Sequence, residues 1–164
     1  CVIAREHEND LIDILGKQTL KRCQNFMYHP GISVLKDALT ALECGSVHAM
    51  HDPTEGGLAT ALHELAWAAG VGLRIHAEAI PVFAESQALC NHYHLDPLGL
   101  IASGALLIVA PTAEADRIVA ALRAQAIAAT VIGEITDRSE GVNMLTADGP
   151  RSLPLFEQDE LTKI

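Results

Sequence analysis

Apolar side chains recur at Leu58, Ala61, Leu62, Leu65, Ala66 and Ala69, a spacing of i, i+3, i+4, i+7, i+8 and i+11. That is the period of a helix with one buried face. Trp67 stands about half a turn away, beside Thr60, His63 and Glu64. It reads either as a second packed layer or as the cover of a contact surface. Upstream, Ser33 is placed to cap a helix on which Val34, Leu35, Ala38, Leu39 and Leu42 form an inward stripe, closed by Gly45. Asp10 is placed to cap a shorter helix through Leu11 and Leu15, with Gly16 as its stop. Cys1 to Ala4 reads as the end of a strand or a linker. Residues 17–32 show no clear period, and Tyr28-His29-Pro30-Gly31 is a turn signal.

Strand patterns alternate with these helices. Val47 to Met50 is a short strand candidate, and Gly70-Val71-Gly72 turns the chain into another at Leu73 to His76. Pro81 starts a helix over 82–92, which the Leu95-Asp96-Pro97-Leu98-Gly99 stretch breaks. Ala105 to Ala110 is continuously apolar, as in a strand buried on both faces. Pro111-Thr112 opens a helix with Ile118, Val119 and Leu122 facing inward. Thr130 to Ile135 reads as a strand, Val142 to Thr146 as a final edge strand, and Asp148-Gly149-Pro150 as a turn. The tail from Phe156 is charged and expected to be loose. The order predicts an α/β (α+β) domain, three layers α/β/α around a mixed sheet. Residues 1–27 are an entry segment and short helix of that domain, 28–155 its body and 156–164 a tail.

One stretch combines opposing signals: His51-Asp52-Pro53-Thr54-Glu55-Gly56-Gly57. Asp52 is a good N-cap, Pro53 suits the first helical position, and Glu55 is spaced for a capping box. Yet two glycines follow, each worse than Ala in a helix by about 1 kcal/mol. Bare backbone at a positive helix end allows close approach of an anion. The other reading is an ordinary helix start whose glycines permit tight helix–sheet packing.

Composition narrows the classes. The 164 residues fit one domain, and with few aromatics Ala, Leu, Ile and Val carry the packing. A formal charge of −10 without any Lys/Arg run argues against a nucleic-acid surface. No apolar run is long enough to span a bilayer, and no secretory segment is visible. Cys1, Cys23, Cys44 and Cys90 are far apart and read as reduced thiols of a cytoplasmic protein. A start at Cys1 rather than Met suggests a piece of a longer protein. Cys44, His48 and His51, or Cys90, His92 and His94, have poor spacing for shared ligation, so no metal set is expected. Neither a G-x-S-x-G elbow nor a P-loop is present. Glu134 reads as a surface carboxylate at a strand end.

The stretch His51 to Ala59 resembles the D-P-T-x-G-G-L segment of the PurM-like (AIR synthase-related) superfamily. Further similar segments keep the same order: Tyr28 to Val34, Ala69 to Gly72, Ile80-Pro81-Val82, Leu95 to Leu98, Ser103 to Leu107 and Val131 to Ile135. The resemblance covers roughly residues 28–136 and is nearest to the hydrogenase-maturation protein HypE and to AIR synthase-related proteins. It implies a PurM C-terminal domain-like fold, lacking a preceding N-terminal domain that would hold most of the ATP and Mg²⁺ ligands and form a homodimer. It implies ATP-dependent phosphorylation of a substrate oxygen, with little activity in this fragment alone. By resemblance, Asp52, Thr54, Glu55, Gly56 and Gly57 line the phosphate side of the cleft, and His51 and Asp52 are the catalytic candidates. Three features depart from HypE. Its motifs often carry Arg at the place of Glu55; Ser103-Gly104 lacks its usual Glu-Gly-Lys; and it ends in a reactive Cys where this chain ends Leu161-Thr162-Lys163-Ile164. The alternative is a non-catalytic ligand- or protein-binding module on the same fold, of the kind that binds a hydrogenase-maturation partner.

Overall fold

A computed structural model describes residues 1–164. The chain opens with two helices, α1 (Val2–Glu6) and α2 (Glu8–Gln24). Gly16 interrupts α2 with φ 74° and ψ 153°, so the expected stop exists, but the helix resumes beyond it. Only Leu20 and Cys23 are buried in the second half, too few apolar positions to make a legible period. Cys1 to Ala4, expected in a strand or linker, enters α1 instead.

Next come α3 (Leu35–Cys44), β1 (Ala49–His51), α4 (Gly57–Ala69) and β2 (Gly72–His76). They are followed by α5 (Ala84–Tyr93), β3 (Leu107–Val109) and α6 (Thr112–Ala124). The chain finishes with β4 (Gly133–Thr136), β5 (Val142–Thr146), β6 (Gly149–Ser152) and a 3₁₀ turn over Glu160–Lys163. Four strands form a mixed sheet in the order β4-β2-β5-β6. β2 runs parallel to β5, with Leu73 opposite Val142, and the other two pairings are antiparallel.

The architecture is a mixed α/β fold. Its strands are divided, however. β1 and β3 form a separate antiparallel ribbon with Met50 opposite Ile108. The apolar run at 105–110 is therefore half-buried in a two-stranded ribbon rather than enclosed in a central strand. β5 is interior, and β6, which the sequence reads only as a turn, takes the edge.

Three small cores hold these layers together. α4 lays Ala59, Leu62, Leu65 and Ala66 on Leu73, Ile75 and Met144 of the sheet. α1, α2 and α5 bury Ile3, Ala4, Leu11, Leu20, Cys23, Leu89 and Cys90 among themselves. α3 and α6 meet over Ala41, Ile118 and Leu122 and cover Met50 and Ile108 of the ribbon. The third core corrects the stripe expected on α3. Ala41 faces inward, Ser33 makes no cap bond, and Leu35, Leu39 and Leu42 face water. A small Ala side chain lets the two helix axes approach, and the leucines are carried to the far side.

The tail is also ordered. Leu153 lies in the second core, Phe156 packs against it, and Glu160 is only 3 % exposed. No helix is long and apolar enough to cross a membrane. All four cysteines are free.

Candidate functional site

β1 delivers the chain to His51, and residues 52–54 continue without regular structure into a tight turn. The Gly57 amide donates to the Thr54 carbonyl at 3.0 Å. Gly56 (φ 73°) and Gly57 (φ 65°) are both left-handed. Side chains disfavour that region, which explains the paired glycines better than a weakened helical turn. α4 consequently starts at Gly57 with Gly56 as its N-cap, and no side chain caps it. Asp52 is not the cap and Glu55 does not close a capping box, because two left-handed residues stand between them and the right-handed helix.

The turn has a buried floor and an exposed rim. Pro53, Gly56 and Gly57 are buried, while Asp52, Thr54 and Glu55 are exposed. A Cβ on Gly57 would lie 2.5 Å from the Leu98 and Leu100 carbonyl oxygens, so this glycine serves close packing of α4 on the 97–100 turn. Gly56 has a different neighbour. Its amide donates to Asp159 Oδ2 at 2.9 Å. The other oxygen of that carboxylate accepts the Leu161 amide at 2.9 Å and so caps the final 3₁₀ turn. The next residue, Glu160, accepts the Asp96 amide at 2.9 Å and pairs with Lys163. Burial pushes the Glu160 carboxyl up, but Lys163 and the Asp96 amide outweigh it and hold the group below its usual range.

At the entrance to the turn, His51 Nε2 is 2.8 Å from Glu64 Oε2 on α4. An ionised carboxylate only accepts, so the imidazole hydrogen lies on Nε2. One turn further along α4, Trp67 is 62 % exposed and stacks on His63 at 5.6 Å between centroids. It covers no second layer.

The predicted residues from His51 to Gly57 thus share one turn, with the side chains of Asp52, Thr54 and Glu55 directed outward. The other candidates do not gather. No three His, Cys, Asp or Glu side chains come together in metal-binding geometry. Cys90 is fully buried whereas His92 and His94 are exposed. Burial first, then the charges of Asp96 and Glu160, push the Cys90 thiol up to about 11. Glu134 is exposed and bonds Arg74 at 2.6 Å, a surface pair. Gly104 packs its backbone on Gly31 and Ile32, bringing together two segments that sequence reading treated separately.

Sequence reasoning missed Glu64, Asp96, Asp159 and Glu160. Asp159, ahead of Glu-Leu-Thr-Lys, and Asp96, ahead of Pro97, carried local signals as caps of short helical turns.

A family model described as AIR synthase related protein, C-terminal domain, matches residues 32–144. Carbamoyl dehydratase HypE of Rhodobacter capsulatus is 38% identical over 122 residues, which are 72% of this chain and 36% of that protein. The protein of the same name from Cupriavidus necator is 40% identical over 122 residues, covering 72% of this chain and 35% of its own length. A crystal structure of hydrogenase maturation protein HypE in complex with ATP superimposes with a TM-score of 0.65 at 34% identity, over 72% of this chain and 38% of that one. The chain therefore spans about a third of the length of the curated relatives it matches.

Proposed function

The chain belongs to the AIR synthase related protein family, C-terminal domain, and from that premise we propose that it is the C-terminal domain of an ATP-dependent enzyme of the HypE type. In this reading the intact protein phosphorylates a substrate oxygen, and the Asp52–Gly57 turn forms the phosphate side of the nucleotide cleft. ATP supplies the phosphoryl group that makes a poor leaving oxygen a good one. A preceding N-terminal domain supplies most of the nucleotide ligands and the contacts of a homodimer. The reading is supported by the kinship with proteins called carbamoyl dehydratase HypE and by the ATP complex of one HypE.

The observation that carries it is the turn itself. Three oxygen-bearing side chains, Asp52, Thr54 and Glu55, are exposed on a buried floor of Pro53, Gly56 and Gly57 at the head of a 13-residue helix. The donor set fits Mg-ATP better than a bare phosphate. Carboxylates repel phosphate oxygens, but Mg²⁺ is commonly held by one or two carboxylates together with the phosphates themselves. Asp52 and Glu55 would then face the metal, and the Thr54 hydroxyl a phosphate oxygen. His51, held by Glu64, is with Asp52 the catalytic candidate of this reading. With no ligand trio in this chain, Mg²⁺ would rely on the rest of the protein.

Titration of the whole protein with Mg-ATP tests this. Asp52→Ala and Gly56→Val are expected to weaken binding about tenfold or more, the loss of one charged ligand or of the turn geometry. Glu55→Arg is expected to strengthen binding of a phosphate-bearing ligand that arrives without metal. Absence of Mg-ATP binding by the intact wild-type protein contradicts the proposal.

A further inference from the structure

We propose, resting on the functional reading above, that residues 153–164 form a latch: docking of the tail and occupation of the turn before α4 by an oxyanion exclude each other. The tail is fastened at both ends of its path. Leu153 is buried in the core under α4, and Phe156 packs against it. Leu161 packs against a different core, the one formed by α1, α2 and α5. Between them the tail lies flush on the 97–99 turn, where a Cβ on Gly99 would stand 2.6 Å from the Phe156 ring and 2.7 Å from Glu160 Cγ. One carboxylate ties this path to the head of α4. Asp159 accepts the Gly56 amide on Oδ2 and the Leu161 amide on Oδ1, each at 2.9 Å. Its neighbour Glu160 accepts the Asp96 amide at 2.9 Å. Whatever displaces Asp159 therefore uncaps the 3₁₀ turn that carries both Glu160 and Leu161.

The donors at the turn select an oxyanion as the competitor. Asp159 satisfies the Gly56 amide but not the group beside it. Thr60 Oγ1 is buried without a hydrogen-bond partner, on the side of Gly56 where a Cβ would stand. A buried hydroxyl left unpaired is costly, and a phosphate that takes the amide has further oxygens to offer it. The same phosphate brings like charge against the Asp159 carboxylate, which is then repelled as well as displaced. Two events that compete for one donor weaken each other by the same factor in both directions. Because Leu161 anchors the far end, a change there is felt at the head of α4 without touching it.

Hydrogen exchange and Mg-ATP titration of the whole protein test the latch. Without nucleotide, Asp159→Ala is expected to speed exchange of the Asp96 amide about tenfold, since Glu160 no longer holds it. Leu161→Ala is expected to speed the same amide and to tighten Mg-ATP binding about fivefold. Leu155→Ala, at an exposed position of the same segment, should change neither. Saturating Mg-ATP should bring the wild-type Asp96 amide to the rate seen in Asp159→Ala. Wild-type protection of Asp96 in Asp159→Ala overturns the latch. Mg-ATP that binds while Asp96 stays protected also overturns it, and leaves the proposed function standing. Absence of Mg-ATP binding overturns both, an outcome told apart from the previous one by the titration itself.

Discussion

The backbone amide of Gly56 and the carboxylate of Asp159 meet at 2.9 Å across 103 residues of sequence. The donor at the head of α4 is satisfied by the tail of the same chain. Under the proposed function, a phosphate reaching that amide and the Asp159 carboxylate are alternative partners for one hydrogen. Asp159→Ala is expected to cost about 1–2 kcal/mol of stability, since it leaves a buried amide unpaired and removes the cap of the last turn. Titration of the whole variant protein is expected to give tighter Mg-ATP binding at the same time. Lower thermal stability with unchanged affinity would mean that the carboxylate serves the fold alone.

Gly57→Ala is expected to be among the most damaging small substitutions in the domain. The new methyl would meet two backbone carbonyls, Leu98 and Leu100, at a residue with φ 65°. Neither carbonyl is the end of a flexible side chain, so the strain adds to the steric cost, together about 2–4 kcal/mol. Urea unfolding measures this. A loss under about 0.5 kcal/mol would show that the turn relaxes.

The four thiols are expected to fall into two classes. Cys23 and Cys90 are buried, and burial raises both above the usual thiol range. Cys1 and Cys44 are half-exposed. Only the thiolate reacts with an alkylating reagent. Two thiols should therefore label in the native protein at neutral pH, and four after unfolding. Early modification of Cys90 would indicate that α5 opens locally.

The docking of the tail is expected to depend on pH in one direction. The Glu160 carboxyl is held below its ordinary value of 4.5 in the folded chain. A group lowered on folding contributes its full stability above the unfolded value and loses it as pH falls through the folded one. Acidification below about pH 4.5 should thus release the 3₁₀ turn over Glu160–Lys163, visible as faster hydrogen exchange of the Asp96 amide. Glu160→Gln, which cannot pair ionically with Lys163, should flatten that dependence.

What the sequence made legible follows from where burial imposes a period. α4 has one wet and one dry side, so Ala61, Leu62, Leu65 and Ala66 were readable, whereas Ala69 at its end is exposed and the buried Ala59 lay outside the expected stripe. β2 and β5 were readable as runs ending at glycines or polar turns. α3 misled because it is apolar on two sides. The small residue Ala41 made the core contact with α6, whereas larger and more conspicuous leucines stayed outside. β6 (Gly149–Ser152) has no large apolar residue, and only its pairing with β5 defines it. At the turn before α4, the glycine pair marked an unusual stretch of backbone, but its geometry did not follow. Two left-handed residues delay a helix, and nothing in the composition distinguishes that from a helix with a weak first turn. The Asp159 contact leaves no periodic trace, because its partners are set by folding rather than by spacing.

The lone tryptophan has a practical consequence. Trp67 stands in water on the outer face of α4, stacked on His63, whose ring bonds the Leu153 carbonyl at 3.1 Å. The domain therefore contains a single indole, which can be excited beyond the absorption of Tyr28 and Tyr93 and is coupled through one imidazole to the strap that leads into the tail. Its emission starts at the red, hydrated end, so a shift to the blue registers whatever comes to rest on that helix, with no dye attached.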